Sequence, residues 1–235
     1  MEVCVDLIQS VLNAVNGGAR RLELCSSLGV GGLTPTVGFF RVCRELVPAD
    51  CKLFVMIRTR PGDFNYSENE LRVMVEDVRA FREAGADGFV FGCLDADGDV
   101  NVEHCERLLR EAHPAPCTFH RAFDSVREPL TSLPVIERLG FARILTSGQK
   151  ETAFSGRDLI KTLIDRCRSC EFKVIVMPGC GVNENNLETI LRETGAREFH
   201  GSAKDAAAKP GVCLTCEDTV RKMVRIGSRF GCDYQ

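Results

Sequence analysis

Two short segments near the start of the chain carry a carboxylate and a thiol at the same spacing. They are Glu2-Val3-Cys4 and Glu23-Leu24-Cys25, and each lies in an apolar stretch. Alternate side chains of a β-strand point to one face, so the glutamate and the cysteine of each segment share a face. Two thiolates on neighbouring strands would form a soft donor pair, which selects Cu(I) over harder ions. Two small thiols that only fill the core fit the same pattern, because free cysteine is commonly buried.

A second group of residues that could carry chemistry follows later apolar stretches. His120 and Asp124 lie in the segment TFHRAFD, and histidine is the usual proton-transfer group near neutral pH. Arg58 and Arg60 could hold a carboxylate or a phosphate through paired hydrogen bonds. With Glu23 as an assisting carboxylate, these residues are candidates for acid–base and anion-binding roles. A rim of ion pairs that only holds loops together is the alternative interpretation.

Glycine-rich turns occur in two further stretches, MPGCGVNENN and FHGSAK. We expect Gly179, Gly181, Gly201 and Ser202 to offer backbone N–H groups to an anion, as helix N-termini do. Tight turns between a strand and a helix also need glycine, so this signal is not specific. His200, in the last apolar stretch, is interpreted as a core histidine whose hydrogen bonds are satisfied.

The elements that must position these residues are strands alternating with amphipathic helices. In four places a glycine ends a helix pattern and an apolar run follows, which indicates a helix, its cap and a buried strand. Ser67 and Glu70 predict a capping box at the start of the clearest helix. The predicted strands cover residues 2–5, 21–25, 53–58, 88–92, 118–121, 143–146, 173–177 and 198–200. The predicted helices cover residues 6–15, 35–47, 67–84, 102–112, 129–139, 157–168, 184–193 and 217–226.

Strict alternation of these elements predicts an α/β fold, a single (βα)8 TIM barrel over residues 1–235. The tail after about residue 204 fits the pattern least well. An open doubly wound sheet is the alternative, and it is disfavoured because no dinucleotide glycine motif follows the first strand. The C-terminal ends of barrel strands meet at one rim, where active sites lie. We therefore expect the polar strand ends to converge there, among them Glu23, Arg58, Arg60, His120, Thr146 and Ser202.

Composition excludes several classes of function. The chain has 235 residues, of which 44% are hydrophobic and 27% charged, an ordinary globular balance. A net charge of −3 provides no basic field for nucleic acid or an anionic membrane. The apolar runs are too short to span a bilayer, and Glu2 and Asp6 interrupt any signal-peptide core. Thirteen cysteines, an odd number, predict reduced thiols in the cytosol rather than a disulfide framework.

Two CxxC pairs, Cys167/Cys170 and Cys213/Cys216, have a spacing that zinc ligands use. The predicted elements place the first pair at the end of a helix, at the bottom of the barrel. The second pair precedes the last helix, at the top. A helix of roughly 12–14 residues separates those faces by about 20 Å. One four-coordinate zinc ion cannot join the two pairs, so we assign them no metal.

The strand-end motifs together resemble the CutC copper homeostasis protein family, in order, from residue 1 to about Ala203. The resemblance implies a TIM barrel associated with copper tolerance and Cu(I) binding through two cysteines on the first two strands. In this chain those cysteines are Cys4 and Cys25. It also implies a homo-oligomer, a tetramer, in the cytoplasm, with the nucleus as a second location. The segments that carry the resemblance are MEVCVD, GGARRLELCSSL, GGLTPT, VMIRTRPGDFNYSE, GADGFVFG, TFHRAFD, ILTSG, VIVMPGCGV and EFHGSA.

The chain departs from the family pattern at a few positions of the mouth. The family usually has a third glycine in the segment that here reads Gly179-Cys180-Gly181, and a cysteine where Gly201 stands. Thr59 and Pro61 alter an Arg-Pro-Arg-Gly run. These departures concern details of the rim rather than the fold.

Two functions from different classes follow from these observations. The first is a cytosolic Cu(I)-binding protein that sequesters copper or hands it over. The second is a TIM-barrel enzyme that acts on a small anionic or phosphorylated metabolite. In that version His120 is the acid or base, Arg58 and Arg60 hold the anion, and Glu23 or Asp124 assists.

Overall fold

The computed structural model describes residues 1–205 and 214–232. Within these residues eight strands alternate with eight α-helices along the chain. The strands are β1 Glu2–Val5, β2 Arg21–Leu24, β3 Lys52–Met56, β4 Gly88–Phe91, β5 Cys117–Phe119, β6 Arg143–Thr146, β7 Ile175–Pro178 and β8 His200–Gly201. The helices are α1 Ile8–Asn16, α2 Val37–Leu46, α3 Glu68–Glu83, α4 Val102–Ala112, α5 Pro129–Leu139, α6 Arg157–Ser169, α7 Leu187–Thr194 and α8 Glu217–Arg229.

The eight strands form one parallel sheet that curves into a nearly closed barrel. Their order is β7-β6-β5-β4-β3-β2-β1-β8, so neighbours in sequence are neighbours in space and the last strand pairs with the first. Each helix returns the chain to the start of the next strand, and all C-terminal strand ends therefore meet at one mouth. This arrangement confirms the predicted (βα)8 barrel.

The alternation of side chains along the first strands separates two environments. Val3 and Leu22 belong to the main apolar cluster, which the strands share with the surrounding helices. Cys4 belongs instead to a small cluster inside the barrel. Period-two strands thus place their aliphatic residues against the helices and their glutamates and cysteines inside. The members of the inner cluster are Cys4, Cys25, Phe54, Met56 and Val90.

The helices pack as their apolar periodicity predicts, and α3 shows this most clearly. Ser67 accepts a hydrogen bond from the backbone N–H of Glu70, and the Glu70 side chain accepts one from the backbone of Ser67. The predicted capping box is therefore present. The helix buries one stripe of apolar side chains, Leu71, Met74, Val78 and Phe81. None of the helices in the described part of the chain combines the length and apolar character needed to cross a bilayer.

A layer of ion pairs fills the barrel at the N-terminal ends of the strands. The Nε of Arg21 lies 2.6 Å from Oε2 of Glu2, and its Nη2 donates to Glu198. Arg143 also binds Glu198, with an Nε–Oε2 distance of 2.7 Å. The Arg21 guanidinium lies over the ring of Phe54, 5.4 Å from its centre. Two arginines and two carboxylates therefore compensate each other where water is excluded.

The pKa of Glu2 reflects this pairing. Burial alone would raise it, but the charge of Arg21 and the hydrogen bond with His200 outweigh burial. They lower the pKa of Glu2 to about 2. Glu2 is therefore an anion that holds the barrel together.

Six of the eight strands differ from the predicted bounds by one or two residues at an end, and the fifth and the eighth do so for local reasons. The fifth was predicted over 118–121 but ends at Phe119, because a 3-10 helix, Arg121–Ser125, begins directly after His120. The side chain of His120 caps that helix by accepting from the backbone N–H of Ala122. The eighth was predicted over 198–200 but is His200–Gly201, because Glu198 already lies in the ion-pair layer below.

Candidate functional site

A cavity of about 500 Å³ opens at the C-terminal mouth of the barrel. Side chains from β1, β2, β3, β6 and β8, and the residue after β5, line it together with the loops. The convergence of polar strand ends at one mouth follows from the barrel topology. Its charged, imidazole and thiol lining includes Cys4, Glu23, Arg58, His120, Arg121, Asp124 and His200.

Three donors of different chemistry lie together on one side of this cavity. The Sγ of Cys4, a carboxylate oxygen of Glu23 and a ring nitrogen of His200 all lie within 4.8 Å of one another. The pairing of β1 with β2 places Cys4 opposite Glu23, and its pairing with β8 places Glu2 opposite His200. Three adjacent strands therefore supply a thiol, a carboxylate and an imidazole to one point. This donor set can hold a metal ion.

The carboxylates around His200 control its charge. Its Nδ1 lies 2.9 Å from Oε1 of Glu2, and its Nε2 lies 3.6 Å from Oε2 of Glu23. Burial would lower the pKa of His200, but Cys4, Glu2 and Glu23 together raise it well above its ordinary value. Burial raises the pKa of Glu23 to about 7, although the charge of His200 opposes that rise. The site therefore holds protons near neutral pH, and a bound metal ion would displace them.

Cys25 lies beside this site rather than in it. It shares the inner apolar cluster with Cys4 but does not line the cavity, and it is only 1% exposed. The loop after β2 lies close to it, because a Cβ added at Gly32 would come within 3.3 Å of the Cys25 Sγ. Burial, then the charges of Glu23 and Cys4, raise the pKa of the Cys25 thiol. That Cys4 and Cys25 together bind copper stays a prediction.

His120 presents a fixed hydrogen-bond donor. Its Nδ1 accepts from the backbone N–H of Ala122 at 3.2 Å, so the proton of the neutral ring is on Nε2. Nε2 is buried and has no hydrogen-bond partner within the described residues. Burial, followed by the charges of Arg58 and Arg121, lowers the pKa of His120 to about 3. The ring is therefore a neutral donor, rather than a group that gains and loses protons near pH 7.

Arg58 is a buried cation held by carbonyl oxygens. Its Nη1 lies 3.1 Å from the oxygen of Val30 and 3.2 Å from that of Gly32. Its Nη2 lies 2.9 Å from the oxygen of Gly62, and the guanidinium lies 4.9 Å from the ring centre of Phe64. Carbonyl groups accept from both Nη atoms without cancelling the charge, while the buried Nε has no hydrogen-bond partner in the described residues. Arg58 thus connects two loops and keeps a positive charge at the cavity wall.

Comparison with known proteins assigns the family. Residues 1–205 match the family model described as the CutC family. The chain belongs to the CutC family. It is 43% identical to the human copper homeostasis protein cutC homolog over 236 residues, which cover 96% of this chain and 85% of the human protein. The mouse protein of that name is 48% identical, over 88% of this chain and 74% of the mouse protein.

A solved CutC structure supports the fold and the family. CutC from Streptococcus agalactiae matches with a TM-score of 0.80 and 32% identity, covering 86% of this chain and 97% of that one. The recognition of the CutC family from strand-end motifs is therefore confirmed.

One residue predicted to bind an anion in this CutC-family chain does not line the cavity. Arg60 pairs with Glu70, at an Nε–Oε1 distance of 2.5 Å, and with Asp63, at 2.9 Å. Its guanidinium also lies over the ring of Tyr66. The same glutamate completes the capping box of α3. The helix start therefore holds Arg60 away from the mouth.

The glycines predicted to contact an anion divide into two groups. Gly181 and Gly201 line the cavity with Ser202. Gly179 does not, and a Cβ there would lie 2.4 Å from Cδ1 of Leu145, so packing requires that glycine. Cys180 lines the cavity with a φ of 74°, a left-handed conformation that suits the glycine expected in this CutC segment.

Asp124 organises a loop of the mouth. Its Oδ1 accepts from Oγ1 of Thr146 at 2.5 Å and from the backbone N–H of Ser147 at 2.9 Å. The backbone N–H of Gln149 donates to it at 3.2 Å, and Nε of Arg121 lies 2.8 Å from its Oδ2. The carboxylate is thus fully used in holding the turn after β6 and in orienting Arg121.

Three of the four CxxC cysteines lie in the described part of the chain. Cys167 is near the end of α6 and Cys170 caps it, while Cys216 precedes α8. Cys213 lies outside the described residues. The cysteines within the described residues are free thiols. None of the described CxxC cysteines lines the mouth cavity.

Proposed function

We propose that this chain acts in copper homeostasis by binding Cu(I) at the mouth of its barrel. The observation that carries the proposal is the cluster of Cys4, Glu23 and His200, whose donor atoms lie within 4.8 Å of one another. Relatives from human and mouse, both named copper homeostasis protein cutC homologs, support the biological role.

The three donors differ in how well they suit Cu(I). Thiolate and imidazole suit Cu(I), whereas a carboxylate oxygen is a hard donor. Cys4, which lines the cavity and is 9% exposed, is the anchor, and Nε2 of His200 is the second ligand. Glu23 accepts the proton that His200 gives up when copper binds, because its pKa of about 7 allows this near neutral pH.

Cys25 is the competing second ligand. The family resemblance pairs it with Cys4, and both belong to the same inner cluster. An ion bound to both thiols would have to enter the packing beneath the loop at Gly32. The Cys4–His200 pair lines the open cavity and needs no such movement.

Competition for Cu(I) with a chromophoric chelator tests the proposal. We expect about one Cu(I) per chain, and Cys4→Ser should lower the affinity roughly 100-fold or more, since even outer-shell changes cost about 10–100-fold. His200→Gln should lower it at least about tenfold, and Cys25→Ser less than either. Cys117→Ser is the matched control, because Cys117 is a buried thiol of the outer cluster. Unchanged affinity in Cys4→Ser would refute the site.

Location and assembly also belong to this proposal. We infer a cytosolic protein that sequesters or hands over copper, present also in the nucleus, and assembled as a homotetramer. The support is the family resemblance of the strand-end motifs. Light scattering of the purified protein and imaging of a tagged chain test the two inferences separately.

A second candidate function concerns the rest of the cavity. We infer that it also takes a small anionic metabolite, as an enzyme of this fold would. A volume of about 500 Å³ far exceeds one copper ion, and Arg58 and Arg121 line it. Melting of copper-free protein with phosphate and small carboxylates tests this, since ligand at a hundred times its Kd stabilises by about 2.7 kcal/mol. If none of these compounds raises the melting temperature, the second candidate function fails and copper binding remains the one proposed function.

A further inference from the structure

The neutral donor of His120 is the feature of the mouth that copper binding does not use. Phe64 lies edge-on to the imidazole, with ring centres 4.8 Å apart. A Cβ added at Gly92 would lie 2.9 Å from Nδ1, so the chain leaves room there only for the ring. Nε2 is buried without a partner in the described residues, although His120 lines the cavity. Leaving such a buried donor unpaired is unfavourable, so it is suited to a ligand oxygen.

Positive charge surrounds this donor. Carbonyl oxygens accept the hydrogen bonds of the Arg58 Nη atoms, and Arg58 forms no ion pair within the described residues. Arg121 pairs with Asp124 and lies 3.3 Å, Nη2 to Oγ, from Ser147. Both arginines act on His120 electrostatically. The mouth therefore combines an excess of positive charge with an uncharged hydrogen-bond donor, Nε2–H of His120.

These two kinds of group recognise different oxygens. Arginine suits a carboxylate or a phosphate, whose charge it balances. A neutral imidazole N–H adds no charge, and it suits the uncharged oxygen of a carbonyl, which it can polarise. A site with cationic arginines and a neutral N–H donor fits a molecule with an anionic group and a carbonyl group. The volume of the cavity suits a small metabolite.

We propose that the cavity binds a small oxo-acid, whose anionic group lies against Arg58 and Arg121 and whose carbonyl oxygen accepts from Nε2–H of His120. This inference rests on the second candidate function and identifies its ligand class. It does not involve the copper ligands.

Pairs of acids that differ only in the carbonyl test the proposal. Copper-free protein is titrated with 2-oxo acids of three to six carbons, and with the saturated carboxylate of each length. We expect at least one oxo-acid to bind about tenfold more tightly than its partner. His120→Asn can place an oxygen at the position of Nδ1 to cap the 3-10 helix, but its shorter side chain has no N–H donor at the position of Nε2. In this variant the affinities for the oxo-acid and the saturated acid should differ by no more than about twofold.

Two arginine variants separate the parts of the site. Arg121→Met should weaken both acids of a pair in parallel, whereas Arg127→Met, an exposed arginine paired with Asp99, should change neither. In the wild type, the proton NMR signal of His120 Nε2–H should shift when the oxo-acid binds and not when the saturated acid binds. This measurement tests the hydrogen bond even if His120→Asn does not fold.

The outcomes distinguish the oxo-acid inference from the broader proposal that the cavity binds an anion. Equal affinity for both acids of every pair, or a preference that survives His120→Asn, overturns the oxo-acid inference while anion binding stands. If no acid and no inorganic phosphate binds, the second candidate function fails, and the oxo-acid site fails with it.

Discussion

Glu2 and Glu23 occupy the same position in two copies of one motif, yet their carboxyl groups behave in opposite ways. Both are buried inside the barrel on adjacent strands. The pKa of Glu2 is lowered to about 2, whereas that of Glu23 is raised to about 7. The difference is Arg21, which pairs with Glu2, whereas the one direct cationic partner of Glu23 in the described residues is His200.

The same contrast separates the two ends of the barrel interior. At the N-terminal end, Arg21 and Arg143 share Glu2 and Glu198, and the charges balance within the protein. At the mouth, Nε2 of His120 and Oε1 of Glu23 have no hydrogen-bond partner in the described residues. Paired buried charges fix a structure, and unpaired buried polar atoms can bind a ligand. The comparison predicts that variants of the lower layer change stability, while variants of the mouth change binding.

The largest expected effect comes from breaking the lower layer. Arg21→Met should lower the free energy of unfolding by about 3–5 kcal/mol, because it leaves buried carboxylates without compensation. Denaturant unfolding monitored by circular dichroism measures the loss. Arg79→Met is the matched control, since Arg79 is a half-exposed arginine on a helix and pairs with Glu76 and Glu111. A loss no larger than in that control would show that the layer is not structural.

A smaller effect of opposite sign is expected at Glu23. Its native pKa of about 7 lies above its ordinary value of 4.5, so the native state retains a proton that the unfolded chain releases. Wild-type stability should therefore fall as pH rises from 4.5 to 7, and Glu23→Gln should avoid that fall. Above pH 7 the variant should be more stable by up to about 3 kcal/mol.

Unfolding at pH 5, 6, 7 and 8 measures this difference, with the exposed Glu106→Gln as control. A difference between Glu23→Gln and wild type that does not grow with pH would contradict burial as the cause of the raised pKa.

The smallest effect is expected at Arg60. Its pairs with Asp63 and Glu70 are partly exposed, so Arg60→Ala should cost at most about 1 kcal/mol of stability. Because it does not line the cavity, anion and Cu(I) affinities should not change. Calorimetric titration with phosphate compares it with Arg121→Met. A similar loss of affinity in both variants would place Arg60 at the mouth.

Much of this arrangement could be predicted from the sequence. The regular alternation of strands and helices predicted the barrel. In a barrel the C-terminal strand ends meet at one mouth, and Glu23, His120 and Ser202 lie together there. The capping box at Ser67 is local and was equally accessible. Such features depend on short-range spacing and on the chain direction of parallel strands.

Long-range pairing could not be predicted in the same way. Arg60 resembles Arg58 in sequence, but contact with Glu70 decides that it leaves the mouth. His200 looked like a satisfied core histidine, and only the register of β8 against β1 brings its second nitrogen near Glu23. A signal did exist, because Phe199 faces the outer cluster and period two then places His200 inside. The role of Arg121, fixed by Asp124, had no comparable signal.

The central claim is that Cu(I) binds the thiolate of Cys4 together with His200. X-ray absorption at the copper edge of Cu(I)-loaded wild-type protein and its His200→Gln variant tests it most directly. We expect a mixed shell, with sulfur at about 2.3 Å and nitrogen at about 2.0 Å if copper follows zinc-like bond lengths. The nitrogen should be lost in His200→Gln. A shell of two sulfurs without nitrogen, unchanged in that variant and lost in Cys25→Ser, would contradict the claim and assign the ion to Cys4 and Cys25.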